Sequence, residues 1–371
     1  MPSASRRGIA VALGWSTVAL LGCASTAVMT SVPLAGGCER ALFFGPAPAP
    51  TGGVTWITPA DDGDRSDLGR WCQTVGPALV AAQSVRDEPE SVERFAVISW
   101  NQDAGAGDFR QLVADLQAGL LTEGAPVDQF VILLQEAYRE GDDIPGDPPA
   151  SATIPPGIRE DNPDGAPRED ILTLARALGL GFFYAPSMRN GMEEPGEPRE
   201  DRGNAILSTM PLQGFRVITL PHERQRRAAI LATVMIPGDH SAASAIQFAS
   251  LHLDVWPAIL PTLLDPSRRN RQAEGFLTAA PNDETPTIVG ADLNAMSAGD
   301  SHVRLFRTRW PAWEAPTPCR TRGRFCTDYL FIGDLPQWSI SPYRIVPDSY
   351  GSDHLPLVSV LTRRVEVAER R

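Results

Sequence analysis

The sequence lacks most of the short motifs that identify common enzyme classes. It contains no phosphate-binding loop, no dinucleotide-binding glycine run and no serine-hydrolase elbow. His222-Glu223 is not followed by a second histidine at the spacing of a zinc protease, and no two cysteines form a Cys-x-x-Cys pair. These absences argue against nucleoside triphosphatases, dehydrogenases, serine hydrolases and zinc enzymes.

Positive charge is also scarce. The 33 basic residues are outnumbered by 45 acidic ones, which gives a formal net charge of −12. An acidic surface repels phosphodiester polymers at long range, so a protein that coats nucleic acid is disfavoured. Hydrophobic residues make up 43% of the 371 residues, which is enough for a buried core.

The N-terminus carries an apolar run that is too short for a comfortable membrane span. Arg6 and Arg7 precede the apolar residues 8–21, as in an export signal. The run ends in Leu20-Leu21-Gly22-Cys23, which resembles a bacterial lipobox. We therefore expect residues 1–22 to be a lipoprotein-type signal peptide, Cys23 to be lipidated, and the protein to be periplasmic or attached to the cell envelope. An ordinary cleaved signal and an uncleaved anchor remain alternatives.

The cysteines are few, and their number fits an oxidising compartment. If Cys23 carries lipid, the four that remain form an even set. The local pairs would be Cys38 with Cys72 and Cys319 with Cys326. Four cysteines allow three connectivities, and the sequence alone does not choose among them.

Composition divides the chain after the signal into three regions. Residues 23–90 are predicted to be a Pro-rich tether or extension, stapled by a disulfide, and residues 94–362 the main domain. Residues 363–371 form a charged tail. Proline, glycine and acidic residues predict long surface loops at 142–170 and 190–201.

The main domain alternates between strands and helices. Asp108 can cap a helix, with Gln111 as its capping-box partner and Leu112, Leu116 and Leu120 at helical spacing. A second helical pattern contains Ile171, Leu174, Ala175 and Leu178 and ends at Gly179. Short apolar runs predict strands at 95–99, 130–134, 182–185, 229–235, 247–251, 287–290, 329–332 and 357–361. Many strands with few helices indicate an α+β sandwich.

Nearly every predicted strand leads directly into polar residues that can do chemistry. Strands of one sheet share edges, so these ends can converge on one rim. Carboxylates and amides suit a hard cation such as Mg²⁺, and histidines beside them suit proton transfer. The residues concerned are Asn101, Glu136, His252, Asp254, Asp292, Asn294, Asp328, Asp353 and His354.

These segments resemble, in order, the motifs of the endonuclease/exonuclease/phosphatase superfamily, and the stretch 202–208 is similar to that family's GNAILS strand. The family includes deoxyribonucleases, abasic-site endonucleases, sphingomyelinases and inositol polyphosphate 5-phosphatases. The resemblance covers residues 94–362 and suggests a bacterial, exported member. It implies a four-layer α/β sandwich, with two mainly antiparallel sheets face to face and helices outside.

The resemblance also implies a metal site. Glu136 corresponds to the chief metal-binding carboxylate, and Asn101 to the amide that lies beside the metal and positions Glu136. Asp353 corresponds to a further metal ligand. The implied cofactor is Mg²⁺, for which Mn²⁺ could substitute.

Further roles follow from the same resemblance. Asp292 and Asn294 resemble the pair that holds the attacking water and the phosphate, although Ala291 separates Asp292 from the glycine that usually precedes it. His354 resembles the closing histidine, and Asp328 the carboxylate that orients it.

His252 resembles a second phosphate-facing histidine. Its carboxylate partner would fall near Glu200 or Asp201. The arginines at 224, 226 and 227 are more typical of a solvated face than of a substrate contact.

The implied activity is metal-dependent hydrolysis of phosphomonoesters or phosphodiesters by in-line attack of an activated water. We favour Asp292 as the base, with His354 kept cationic by Asp328. The alternative is a catalytically silent, lipid-anchored binding protein of the same fold. The choice between a nuclease and a phosphodiesterase of lipids or small molecules stays open. We expect a monomer, held at the membrane by its N-terminal lipid, that meets nucleic acid only as a substrate.

Overall fold

The computed structural model describes residues 27–35, 37–45, 53–82, 90–145, 167–189, 199–238, 244–255, 267–281, 285–311, 314 and 316–364. The strands in these ranges are β1 (Met29–Thr30), β2 (Ala41–Phe43), β3 (Thr55–Pro59), β4 (Ala78–Ala81), β5 (Arg94–Asn101), β6 (Phe130–Glu140), β7 (Gly181–Arg189), β8 (Glu200–Ser208), β9 (Leu212–Thr219), β10 (Ala228–Ile236), β11 (Ser244–His252), β12 (Thr287–Asp292), β13 (Asp328–Ile332), β14 (Trp338–Ile340), β15 (Arg344–Ile345) and β16 (Leu357–Arg363). The helices are α1 (Asp62–Cys72), α2 (Phe109–Gln117), α3 (Ile171–Ala177), α4 (Ser267–Ala279) and α5 (Ser301–Arg309).

The strands form two mixed sheets. One has the order β1-β3-β9-β10-β11-β12-β13, and the other the order β14-β16-β5-β6-β8-β7-β4-β2, with β15 beside β16. The pairs β2–β4, β3–β9, β5–β6 and β11–β12 are parallel, and the other described pairs are antiparallel. The predicted class, an α+β sandwich of two mainly antiparallel sheets, is confirmed.

Alternation along β5 shows how the layers form. Phe95 and Val97 are buried in the core that contains strands of both sheets, whereas Ala96, Ile98 and Trp100 are buried in the core that contains α2 and α3. Successive side chains of a strand point to opposite faces, so β5 is apolar on both sides. Helices α4 and α5 contribute to the core of the seven-stranded sheet. The sandwich therefore has helices outside each sheet.

The region before the main domain contributes strands to both sheets. β1 and β3 continue one sheet beyond β9, and β2 and β4 continue the other beyond β7. The sequence suggested a separate tether or stapled extension, but the described part of this region contributes strands to both sheets of the sandwich. The Pro-rich residues 46–50 lie outside the described residues.

Helix α2 is shorter than its leucine spacing predicts. Gly119 adopts a positive φ of 82° just after the helix, so Leu120 lies beyond it and is 70% exposed. The cap at Asp108 is as predicted, because its Oδ1 accepts from the backbone N of Gln111 at 3.0 Å. The reciprocal half of the capping box is absent: the Gln111 side chain binds Asp115 instead.

The other predicted strands are present, most of them with extended bounds. The second helical pattern is α3, and Gly179 follows it with a φ of 63°. Residues 200 and 201, predicted to be loop, begin β8 and are buried. The signal segment, Cys23 and residues 365–371 lie outside the described residues. Among the described residues, no helix is both long enough and apolar enough to span a membrane.

Candidate active site

Polar side chains from both sheets meet at the edge where the parallel strand pairs end. Asn101 is the last residue of β5, and it pairs with Gln135 of β6. His252 ends β11 and pairs with Asp292, which ends β12. Asp292 in turn lies opposite Asp328, the first residue of β13. Because parallel neighbours end at the same edge, the predicted convergence on one rim is observed.

Gly290 allows the two sheets to approach closely beneath this rim. A Cβ added there would lie 2.7 Å from the Ser99 Oγ and 2.8 Å from the Leu133 Cβ. Real side chains do not tolerate such distances, so β12 can lie this close to β5 and β6 only with glycine at this position. Gly290, which Ala291 separates from Asp292, is therefore needed for the close packing of the two sheets.

Asp292 is the central carboxylate of the site and is 1% exposed. Its Oδ1 accepts from the backbone N of Asn294 at 2.8 Å, and its Oδ2 accepts from Asn101 Nδ2 at 2.9 Å. Burial, and then repulsion from Asp328, raises the pKa of Asp292 to about 6, against the attraction of His354. A carboxylate with a pKa near neutrality can take a proton from a reacting water.

His354 and Asp328 form a buried dyad. The Nδ1 of His354 lies 2.8 Å from Asp328 Oδ2, and its Nε2 lies 3.8 Å from Asp292 Oδ2. Burial opposes the imidazolium, but Asp328 and Asp292 outweigh it and raise the pKa of His354 to about 10. The same charge on His354, against the effect of burial, lowers the pKa of Asp328. His354 is therefore cationic at neutral pH.

The loop that carries His354 is tied to β5. The indole Nε1 of Trp100 donates to the carbonyl of His354 at 3.1 Å. The Ser352 hydroxyl donates to the carbonyl of Asn101 at 2.8 Å and accepts from the backbone N of His354 at 3.0 Å. These bonds fix the imidazole relative to the end of the strand.

Asn101 supports Asp292 through a direct hydrogen bond, whereas the resemblance implied that it positions Glu136. Its Nδ2 donates to Asp292, and its Oδ1 accepts from the backbone N of Asp103 at 3.0 Å. This is an Asx turn after the strand. A carboxamide oxygen has two lone pairs, so Oδ1 keeps the capacity to bind a cation.

Glu136 projects into the site from a β-bulge. The register of β6 against β8 shifts between Leu134 and Ala137, and Glu136 has a positive φ of 51°. Its two carboxylate oxygens lie 3.8 Å from Arg202 Nη1 and 3.6 Å from His252 Nδ1. A positive φ at a residue other than glycine costs about 1–3 kcal/mol and is concentrated at functional sites.

His252 is close to an arginine, whereas a carboxylate was expected. Arg227 Nη1 lies 3.0 Å from His252 Nδ1, and a guanidinium can only donate, so Nδ1 accepts and the proton is on Nε2. Burial, and then the charge of Arg227, lowers the pKa of His252 well below its ordinary value. His252 is therefore neutral, and its Nε2 lies 3.4 Å from Asp292 Oδ2, which can accept its proton, and 3.0 Å from Asn294 Nδ2, which donates to the carbonyl of Leu253.

The two predicted carboxylate partners of His252 have other contacts. Asp201 accepts from the Tyr184 hydroxyl at 2.6 Å and from the backbone N of Gly76 at 2.8 Å. Glu200 lies 3.0 Å from Arg168. The prediction that one of them orients His252 is wrong, because Asp201 is directed toward β7 and the N-terminal region, and Glu200 toward Arg168.

Asp353 is more exposed than the other site residues and forms an ion pair with Arg322. Its side chain is 40% exposed, and its Oδ1 lies 3.5 Å from His354 Nε2. The pairing with Arg322 means that this carboxylate would have to exchange a guanidinium for a cation. Its assignment as a metal ligand stays a prediction.

The donor set fits a hard divalent cation. Glu136 supplies a carboxylate, and Asn101 supplies a carboxamide oxygen, which are the ligand types that Mg²⁺ prefers. Ligand atoms of Asp292, Asp328 and His354 also lie within 4.8 Å of one another. In that trio, however, the Nδ1 of His354 is already bonded to Asp328, which favours proton handling there over metal binding.

The sequence pattern assigned no role to Arg202, Arg227 and Arg322, although all three lie at the site. Arg202 and Arg227 are 2% exposed, so the expectation of a solvated face at residues 224–227 is wrong for Arg227. Arg226 is also buried, at 1% exposure. No pattern in the sequence distinguishes a buried arginine from an exposed one, and a run of arginines usually faces solvent.

Both local disulfides are present. Cys38 is bonded to Cys72, and Cys319 to Cys326. The second bond closes a loop that ends two residues before Asp328, so it lies next to the dyad. Of the three connectivities that the sequence allowed, the structure has the local one.

Comparison with known proteins identifies a family and several similar structures. Residues 98–354 match the model of the Endonuclease/Exonuclease/phosphatase family. Similar solved structures include an endonuclease/exonuclease/phosphatase from Beutenbergia cavernae, with 20% identity, 73% and 72% of the two chains covered and a TM-score of 0.49. Others are the human Nocturnin catalytic domain (18% identity, 75% and 98% covered, TM-score 0.48) and a sphingomyelinase C from Streptomyces griseocarneus (15%, 72% and 99%, TM-score 0.39). No curated protein matches the chain.

Proposed function

The chain belongs to the endonuclease/exonuclease/phosphatase family, and from that premise we propose that it is a metal-dependent hydrolase of phosphoric esters. Water attacks phosphorus in line and displaces the ester oxygen of a phosphomonoester or phosphodiester. The proposal assigns no single substrate, since the family includes enzymes that act on several kinds of phosphate ester.

One observation carries the proposal: Asp292 lies between two imidazoles that differ in charge. Its Oδ2 is 3.4 Å from the Nε2 of neutral His252 and 3.8 Å from the Nε2 of cationic His354. Its pKa of about 6 leaves it mostly ionised at neutral pH yet basic enough to accept a proton.

In this mechanism Asp292 takes the proton of the attacking water. The imidazolium of His354 stabilises negative charge on the phosphate oxygens, and Asp328 keeps it protonated. Asn294 adds a carboxamide, which its hydrogen bond to the carbonyl of Leu253 at 3.0 Å orients. His252 donates from Nε2 without adding charge.

Glu136 and Asn101 are the residues that would hold the divalent cation, and Asp353 could join them on release from Arg322. When bound, Mg²⁺ or Mn²⁺ supplies a Lewis acid for the negative charge of the phosphate. In the absence of the metal, the buried guanidinium of Arg202 lies 3.8 Å from Glu136 and offsets part of its negative charge.

We further propose that the protein is an exported monomer, lipidated at Cys23 and held at the cell envelope. The two disulfides support an oxidising compartment, because such bonds are rare in the bacterial cytosol. Nucleic acid would be met only as a substrate.

The test is a substrate panel with purified protein: plasmid DNA, RNA, sphingomyelin, inositol phosphates and bis-p-nitrophenyl phosphate, each with Mg²⁺ and with EDTA. We expect hydrolysis of at least one substrate that EDTA abolishes and that Asp292→Asn reduces about 10²-fold or more. Undiminished hydrolysis in EDTA would refute the metal dependence. Binding without turnover of any phosphate ester would favour the catalytically silent alternative.

A further inference from the structure

A short basic loop lies beside the candidate active site. Residues 319–326, here called the arginine hairpin, have the sequence Cys-Arg-Thr-Arg-Gly-Arg-Phe-Cys. They contain three arginines and no acidic residue, in a chain whose net charge is −12. The disulfide between Cys319 and Cys326 closes the loop, with Cα atoms 5.2 Å apart. Positive charge is thus concentrated in one covalently closed segment.

Backbone hydrogen bonds define the shape of the arginine hairpin. The N–H of Thr321 donates to the carbonyl of Phe325 at 2.9 Å, and the N–H of Phe325 donates to the carbonyl of Arg322 at 2.9 Å. Gly323 at the turn has a positive φ of 55°, which glycine adopts without steric cost. The loop is therefore a tight turn with a fixed base, and its arginines leave it at defined positions.

Hydrogen bonds join the base of the arginine hairpin to the backbone next to Asp328 and His354. Thr321 Oγ1 accepts from the backbone N of Asp328 at 3.0 Å and from that of Thr327 at 3.0 Å. The carbonyl of Thr321 accepts from the backbone N of Leu355, the residue after His354, at 2.8 Å. The backbone at the base of the arginine hairpin is consequently held at a fixed position relative to Asp328 and His354.

A cavity of about 470 Å³ separates the arginine hairpin from the catalytic residues. Asn294 lines it on the catalytic side, Val255 and Phe325 supply apolar walls, and Arg322 and Arg324 supply positive charge. This volume is in the range of small-ligand sites, which combine apolar walls with a few polar groups. A substrate whose ester lies at Asn294 would extend into it.

The two arginines of the cavity differ in their partners. Arg322 forms an ion pair with Asp353, which holds its guanidinium near the site. The guanidinium of Arg324 lies over the ring of Phe325, 5.0 Å from the centroid. Within the described ranges no ion pair is formed by Arg324. Arg324 therefore combines a position in the cavity with donors that no described carboxylate occupies.

We propose that the arginine hairpin is a second anion subsite, so that the preferred substrate carries a further phosphate group beside the ester that is hydrolysed. Arginine donates a planar fork of N–H groups that matches phosphate oxygens, and such charged hydrogen bonds are stronger than neutral ones. The inference rests on the proposed function and adds the substrate class to it. Arg322 and Arg324 line the same cavity as Asn294. The geometry therefore favours binding of a second phosphate of the same substrate molecule over binding of an extended anionic surface.

The test compares ligands that differ by one phosphate. Thymidine 3′,5′-bisphosphate is paired with thymidine 5′-monophosphate, and inositol 1,4-bisphosphate with inositol 1-monophosphate, which separates nucleotide from inositol sources of the same chemistry. Calorimetric titration of the full mature protein in EDTA prevents turnover. We expect the bisphosphate of at least one pair to bind about tenfold more tightly than its monophosphate, as one charged hydrogen-bonded contact implies.

Arg324→Gln should remove most of this preference, whereas Arg320→Gln should retain it. Arg320 belongs to the same hairpin and has the same charge, but it lies outside the described lining of the cavity. Thermal unfolding of both variants confirms that they fold. Equal binding within both pairs, or equal losses in the two variants, would overturn the subsite.

Hydrolysis of the panel described above is measured separately on the same samples. A preference that depends on Arg324, without hydrolysis of any ester, would leave the subsite standing and refute the proposed function. Hydrolysis of an ester without a preference for the bisphosphate would support the proposed function and refute the subsite. The two proposals can therefore fail independently.

Discussion

His354 Nδ1 lies 2.8 Å from Asp328 Oδ2, and both side chains are only 1% exposed. This hydrogen bond joins a residue of the last loop to the first residue of β13. The Thr327 hydroxyl also donates to Asp328 Oδ2, at 2.6 Å, so the carboxylate is fixed before any substrate binds. A fixed carboxylate holds the ring in one tautomer and favours its charged form.

The first prediction concerns pH. Activity should rise as Asp292 loses its proton near its pKa of about 6 and fall as His354 loses its proton near its pKa of about 10. Asp328→Asn removes the carboxylate that raises the pKa of His354, so the alkaline limb should move to lower pH. The acidic limb should move the same way, since Asp328 also raises the pKa of Asp292. The measurement is kcat/KM against pH.

Two comparisons make this test specific. His354→Ala should lower kcat/KM about 10²-fold or more, because it removes a charged group at the developing charge, and Asp328→Asn should lower it less. Asp128→Asn changes an exposed carboxylate and should leave the profile unchanged. An Asp328→Asn profile that coincides with that of the wild type would show that the dyad does not control the charge of His354.

The second prediction concerns the metal and Glu136. Glu136→Gln keeps the shape of the side chain but removes the charge that a divalent cation requires, so Mg²⁺-dependent hydrolysis should fall to background. Glu123→Gln is the matched control, because its side chain is 79% exposed and pairs only loosely with Arg344 at 3.6 Å. Calorimetric Mn²⁺ titration should show binding to the control and not to Glu136→Gln. Retained activity in Glu136→Gln would exclude this residue as the chief ligand.

The sequence predicted the central strands of the two sheets but missed several of the strands toward the sheet edges. The apolar runs at 95–99 and 130–134 predicted β5 and β6 because both faces of these strands are buried, so nearly every residue is hydrophobic. β9 and the short N-terminal strands were missed. The N-terminal strands lie at or next to a sheet edge, and β9 lies between β3 and β10. The pairing of these strands is set by tertiary contacts more than by the pattern of their own residues.

For the candidate active site, the sequence predicted which residues come together but not which side chains several of them contact. Asn101, Asp292, Asp328 and His354 come together because each lies at a strand end or in a bound loop, which the order of segments reveals. The bulge at Glu136 and the contact between Arg227 and His252 were not foreseen. The bulge depends on how β6 pairs with β8, and the contact depends on which side chains become buried beside β11. Neither leaves a periodic signal in the sequence.

The third prediction concerns the N-terminus, which lies outside the described residues. If Cys23 is lipidated, the wild-type protein should be found in the membrane fraction, because the several acyl chains of a lipoprotein anchor it stably. Cys23→Ser should release it or leave an unprocessed precursor, whereas Ser31→Ala should behave as wild type. Mass spectrometry of the mature N-terminus is the direct measurement. An unmodified N-terminus at another residue would refute lipidation.

The last prediction separates the two disulfides by what each contributes. Cys38 and Cys72 are 34 residues apart, and Cys319 and Cys326 only 7. In the chain-entropy view, closing the longer loop stabilises the fold by about 4 kcal/mol and closing the shorter one by about 2 kcal/mol. Replacing both cysteines of a pair with serine should therefore lower the melting temperature more for Cys38 and Cys72. The effect on activity should have the opposite order, because the shorter loop is bonded through Thr321 to Asp328, whereas Cys38 and Cys72 belong to a separate small core with Leu34, Leu68 and Val75. Thermal unfolding and kcat/KM at 25 °C measure the two effects on the same samples. If the loss of the Cys319–Cys326 bond leaves kcat/KM unchanged in folded protein, the hydrogen bonds at Thr321 suffice to hold the arginine hairpin, and the disulfide has no role in ordering the site.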